Sequence, residues 1–247
     1  MLDAKSHARY LREFIAAYRV HEGGPLGREA ACLRCRTAYV MEDLRPGDFY
    51  AGRYRNLAVG FAPQEANCFA YFFNEDVYRE LTEALGPEEA AALEPDAAYW
   101  RTKACDRRLR EAYPPDMAEA LPSDRFLDDE EAGFPLYRIG GVHLDFGRLV
   151  DLGLPGLREL LRQKEDSAAG KEKLFYAAMA EALDCVAQVA EQYRVQAEKL
   201  GNGDLAAVLG ALQERSPRTL REALQLVHLY ALFSGCFNYG RMDVYLG

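Results

Sequence analysis

Cys32-Leu33-Arg34-Cys35 sets two thiols three residues apart. Such a pair could bind zinc or cycle between dithiol and disulfide. A tetrahedral structural zinc site takes four ligands, so one pair is half a site. His21 lies upstream, but no second pair stands at a suitable spacing. On a helix, positions i and i+3 share a face. The reading preferred for Cys32 and Cys35 is therefore two structural thiols with no metal. The stretch IGGVHLDFG holds a second candidate, His143, which follows Gly140-Gly141 and precedes Asp145. A histidine among glycines and an acid can line a pocket, or it can be a half-exposed loop residue. His228 falls on the polar stripe of an otherwise apolar stretch and reads as a hydrogen-bonded core histidine. No G-x-S-x-G elbow, G-x-G-x-x-G turn or G-x-x-x-x-G-K loop occurs, so acyl-transfer hydrolysis and nucleotide binding have no support.

The 247 residues carry a net charge of −9, 49% apolar and 28% charged side chains. That mix belongs to ordinary globular proteins, and the acidic balance argues against nucleic acid and anionic membranes as partners. Arg107, Arg108 and Arg110 read as a solvated helix face. The start, MLDAKSHARYLREF, has an acid at Asp3 and no apolar core of a signal peptide. No run reaches the roughly 18 apolar residues of a membrane span. A cytoplasmic protein with reduced cysteines is the expectation.

The spacing predicts a mainly α protein with a few short strands. Helices are expected over residues 3–20 and 26–42. Leu57–Phe61 and Cys68–Phe73 are expected as short strands around a loop. Asn74 caps a helix through Leu85, Gly86-Pro87 starts another, and Asp96 is expected to cap one through Ala112. Residues 113–136 are proline-rich loop and the best internal boundary. This suggests a helical region with a strand pair over residues 1–130 and a helical segment over 131–247. A wide apolar stripe predicts a long helix from Phe175 to Tyr193. Gly201 stops it, and Asp204 is expected to cap the next. Thr219 and Glu222 form a capping-box pattern ahead of a helix from Leu220 to Phe233. That helix is apolar nearly all round, apart from Arg218, Arg221, Glu222, Gln225 and His228.

Three motifs in order, Pro217-Arg218-Thr219, Glu222-Ala223-Leu224-Gln225 and Gly240-Arg241-Met242-Asp243-Val244-Tyr245-Leu246, resemble the N-terminal regions of glycyl radical enzymes, the pyruvate formate-lyase-like family. Gly140-Gly141, His143, Asp145 and the Leu-Gly-Leu-Pro-Gly stretch at 152–156 are similar to the family as well. The likeness is carried by residues 140–247 and is loose over residues 1–130.

The resemblance implies the N-terminal part of an α/β ten-stranded barrel architecture made of two half-barrels. It implies radical cleavage of a carbon–carbon or carbon–heteroatom bond in a small metabolite. The family needs a cysteine on a central loop and a C-terminal glycine loop, Arg-Val-x-Gly-Tyr, and this sequence contains neither. The glycyl radical is generated by a separate activating enzyme using S-adenosylmethionine and an iron–sulfur cluster. The expectation is therefore a front fragment, inactive alone, with no catalytic residue and no cofactor of its own. Its partners would be the downstream half of the enzyme or a second copy of itself. The apolar Leu220–Phe233 helix and the chain's last residues would be the sticky surface. Site residues implied by the resemblance are substrate contacts at His143, Cys236 and Asn238. Dehydratases of the family carry a His-Ser pair where this chain has Gly235-Cys236. Glycine and a thiol cannot supply the hydrogen bonds of imidazole and hydroxyl, which argues against a glycerol-type substrate. The alternative is a standalone helical protein that binds a partner or scaffolds a complex without catalysis.

Overall fold

Helix dominates, as the periodicity predicts. A computed structural model describes residues 2–20, 24–62, 70–104, 112, 114–116 and 144–234. Within them run helices α1 (Ala4–Val20) and α2 (Gly24–Val40), strands β1 (Val59–Ala62) and β2 (Ala70–Phe73), and helices α3 (Glu75–Leu85), α4 (Pro87–Arg101), α5 (Phe146–Ser167), α6 (Gly170–Lys199), α7 (Gly203–Glu214) and α8 (Leu220–Ser234). The strands form an antiparallel pair in which Val59 faces Phe73 and Gly60 faces Phe72.

The N-terminal half is organised around aromatic side chains. Tyr10, Phe14 and Trp100 are fully buried. Phe14, Tyr18 and Tyr71 each meet Trp100 edge to face, with ring centres 5.0–5.2 Å apart, a geometry that aligns positive ring edges with negative faces. Two of the polar atoms meet the hairpin backbone: the Tyr10 hydroxyl donates to Val59 O at 2.9 Å and the Trp100 indole donates to Phe72 O at 2.8 Å.

The same packing explains one departure from the sequence reading. No helix starts at Asp96. Instead α4 runs unbroken through Pro95 to Arg101. Leu93, Ala97 and Trp100 lie on one stripe and all three are fully buried. That burial outweighs the hydrogen bond lost at proline, and Asp96 pairs with Arg19 at 3.1 Å instead.

In the C-terminal half, α6 packs on α2, α5 and α7. It starts at Gly170, ahead of the predicted Phe175, and ends at Lys199, just before the expected stop at Gly201. Asn202, not Asp204, caps α7: its side chain accepts from Leu205 N at 3.2 Å and donates to Asp48 O at 2.8 Å. The buried residues join in one cluster from Ala8 to Phe233. No described helix is long and apolar enough to cross a membrane.

Candidate functional site

The polar stripe of α8 has a partner within the chain. Residues 49–54 run along it, tied to successive turns of the helix. Arg221 donates to Phe49 O at 3.2 Å and stacks its guanidinium 3.9 Å over the Phe49 ring. Gln225 is fully buried and closes both hydrogen bonds of Ala51. His228 Nε2 lies 2.9 Å from Gly52 O. A carbonyl only accepts, so that nitrogen carries the proton. Tyr54 donates its hydroxyl to Leu232 O. The approach is close enough to demand glycine at 52: its φ is +117°, and a Cβ there would stand 2.9 Å from Leu232 Cδ1. Most of α8 is thus covered by its own chain, with Leu226, Val227 and Leu229 fully buried. Of the surface expected to be sticky, the helical part is internal.

At the start of α8, the predicted capping box is half formed. Thr219 Oγ1 accepts from Glu222 N at 3.2 Å. The Glu222 carboxylate, however, has its main partners elsewhere. It takes the Arg218 N–H at 2.7 Å and a two-pronged guanidinium from Arg215 at 2.8 and 2.9 Å. Those contacts, Arg215 first, hold the Glu222 carboxyl down at about 2. This turn rests on the kink of α5. Gly153 sits there with φ +63°, and a Cβ would come within 2.7 Å of Ser216 Cα. The Leu152–Gly156 stretch therefore lies against Arg215-Ser216, just ahead of the Pro217–Gln225 stretch. Asp145 starts α5 as its N-cap, accepting from Arg148 N at 2.9 Å.

An open cavity of about 680 Å³ lies between α2, α5, α6 and the end of α8. Its walls are leucine, alanine, phenylalanine and methionine. Polar groups are few: Glu29 accepts from the Tyr71 hydroxyl at 2.5 Å, and Arg148 lies 3.6 Å from Asp145. Leu144 and Phe233 both line it. Leu144 adjoins His143, and Phe233 stands three residues before Cys236. The helix start next to His143 and the helix end leading to Cys236 and Asn238 thus border one cavity. His143, Cys236 and Asn238 themselves lie outside the described residues.

The thiols at 32 and 35 face protein. Cys32 is fully buried and Cys35 half-buried, and burial pushes both up to about 12. Among the described residues, no three or more His, Cys, Asp or Glu side chains form a group that could hold a metal ion. His7, which sequence reasoning passed over, accepts the Ala58 N–H on Nε2 at 3.1 Å, and burial lowers it to about 4. It is a neutral structural acceptor.

The family profile for pyruvate formate lyase-like proteins matches residues 11–247. The chain belongs to the pyruvate formate lyase-like family of glycyl radical enzymes. The match reaches far past residues 140–247, so the N-terminal aromatic half is part of the family's plan. Among curated proteins, none matches the chain. Solved structures that share the fold include two that cover nearly all of this chain. One comes from work on 1,2-propanediol dehydration in Roseburia inulinivorans, with 17% identity and a TM-score of 0.69 over 99% of this chain and 33% of that one. The other is the glycerol-bound B12-independent glycerol dehydratase from Clostridium butyricum, with 15% identity and a TM-score of 0.68 over 97% of this chain and 34% of that one. This pyruvate formate lyase-like chain spans about a third of the length of either.

Sequence reasoning found the polar stripe on α8 but not its partner. Gly52 was the available signal, a glycine in an extended run that no turn required. The cavity was out of reach, because its walls come from four helices remote in sequence.

Proposed function

We propose that residues 1–247 are the N-terminal portion of a pyruvate formate lyase-like glycyl radical enzyme. The complete protein cleaves a carbon–carbon or carbon–heteroatom bond of a small metabolite by radical chemistry, in the cytoplasm of an anaerobic cell. The observation that carries this is the family match over residues 11–247 in a chain that spans a third of its fold relatives. The remaining two-thirds would supply most of the ten-stranded barrel, the thiyl cysteine and the glycine loop. A separate S-adenosylmethionine enzyme would make the glycyl radical.

In this reading the described residues do no chemistry. They hold two chain ends in register. The Gly153 kink under Ser216 and the Glu222–Arg215 pair anchor α5 against the start of α8. His143 precedes the first, and Cys236 and Asn238 follow the second, so the three would reach the substrate from a common scaffold. Gly235-Cys236 cannot hydrogen-bond a polyol as histidine and serine do. This argues against a glycerol-type diol as the substrate, whatever the fold neighbours act on.

The test is to isolate the natural protein from its source through a tag on Ala4 and sequence every covalently joined or co-purifying peptide. The reading expects a polypeptide with an Arg-Val-x-Gly-Tyr loop. A preparation holding only residues 1–247 would contradict it.

A further inference from the structure

We propose that the cavity between α2, α5 and α6 is the seat of an amphipathic helix from the missing two-thirds of the enzyme. This rests on the reading above and names the surface that the remainder must meet. Three observations carry it.

The first is where the apolar surface lies. Leu26, Phe175 and Met179 line the cavity and remain 39%, 43% and 38% exposed. Leu174, next along α6, is 54% exposed. Large apolar side chains gathered on one face mark a contact surface. Leu174 directly precedes Phe175, so the exposed apolar side chains gather at the N-terminal part of α6 beside the cavity.

The second is the chemistry of the walls. A strand or irregular segment would need hydrogen-bond partners for its backbone. The cavity offers few: Glu29 and Tyr71 are joined to each other, Arg148 sits beside Asp145, and Tyr230 adds one hydroxyl. A helix satisfies its own backbone, so it alone can enter without stranding N–H and C=O groups. Its apolar positions at i, i+3, i+4 and i+7 would fill the groove, the usual helix-in-groove mode. A polar metabolite would find almost no hydrogen bonds there, which sets this cavity apart from the substrate site.

The third is length. The chain accounts for 33–34% of its fold relatives. The rest of such a fold has to pack against this third, and the apolar groove is the described surface suited to it.

The experiment replaces Met179 with the photo-crosslinker p-benzoylphenylalanine in the natural protein, expressed in its source cells. A control carries the crosslinker at Glu83, an exposed position on α3. After irradiation, crosslinked peptides are sequenced. The proposal expects position 179 to join a peptide with helical apolar spacing from the polypeptide that bears the glycine loop, and Glu83 not to. It is overturned if that polypeptide is present but position 179 joins a second copy of residues 1–247, a lipid or nothing. If no glycine-loop polypeptide is present, the underlying reading fails, and the proposal with it. A second arm uses Phe175→Asp with Met179→Glu. Both sites are exposed enough to tolerate charge, so circular dichroism should match wild type. The remainder retained on the tagged fragment after limited proteolysis should fall at least tenfold. Unchanged retention would also overturn the proposal.

Discussion

Gln225 and Ala51 are joined as two strand residues would be. The Ala51 N–H donates to Gln225 Oε1 at 2.8 Å, and Gln225 Nε2 donates to Ala51 O at 2.8 Å. Both residues are fully buried. A single side chain thus satisfies the backbone of a segment 174 residues away in sequence.

Gln225→Leu keeps the size but strands one buried N–H and one buried C=O. Each unsatisfied group costs about 1–3 kcal/mol, so the variant should lose about 2–6 kcal/mol. Urea unfolding should show a lower midpoint at unchanged slope. A midpoint equal to wild type would mean that residues 49–54 are held by something else.

Glu222 ties stability to acid pH. Its folded pKa, about 2, lies below its ordinary value of 4.5. The unfolded chain therefore takes up the proton first, and stability is lost as pH falls from 4.5 towards 2. Glu222→Gln should lower stability at pH 7 by about 1–3 kcal/mol and narrow its gap to wild type across that window. A gap independent of pH would sever the carboxylate from the effect.

His7 works in a different window. Its folded value, about 4, lies below the ordinary 6.5 because burial disfavours the imidazolium. The protonated form cannot accept from Ala58 N. Stability is full above pH 6.5 and falls as pH drops towards 4, by at most about 1.4 kcal/mol per pH unit. His7→Gln retains an acceptor and should remove this slope. Unfolding midpoints at pH 7.5 and pH 5 that decline equally in both proteins would refute the assignment.

Much of the helical fold was legible because burial imposes a 3.6-residue period. That is how α1, α6 and α8 showed themselves, and Asn74 was read correctly as the cap of α3. Tertiary packing decided the exceptions. Pro95 is carried inside α4 because Leu93 and Trp100 must share a face, and Asn202 outcompetes Asp204 because it can also reach Asp48. Glu222 was legible as a capping residue, whereas its main partner, Arg215, lies seven residues back, outside the capping pattern. The candidate site was legible only through motifs. Cys236 and Asn238 came from likeness to a family, His143 also from its place between Gly140-Gly141 and Asp145, and no periodicity points to any of them.

The CxxC should be inert. With Cys32 and Cys35 pushed up to about 12, almost no thiolate exists at neutral pH, and the thiolate is the nucleophile. Iodoacetamide at pH 7.5 should leave the peptide with both cysteines unlabelled until urea is added. Prompt labelling of either thiol in the folded protein would restore a redox role.

The most direct test of the account is electron paramagnetic resonance after anaerobic incubation with the activating enzyme and S-adenosylmethionine. Residues 1–247 alone should give no glycyl signal, and the complete natural protein should give the glycyl-type doublet. A doublet from the isolated chain, or none from the complete protein under conditions that activate a known family member, would contradict it.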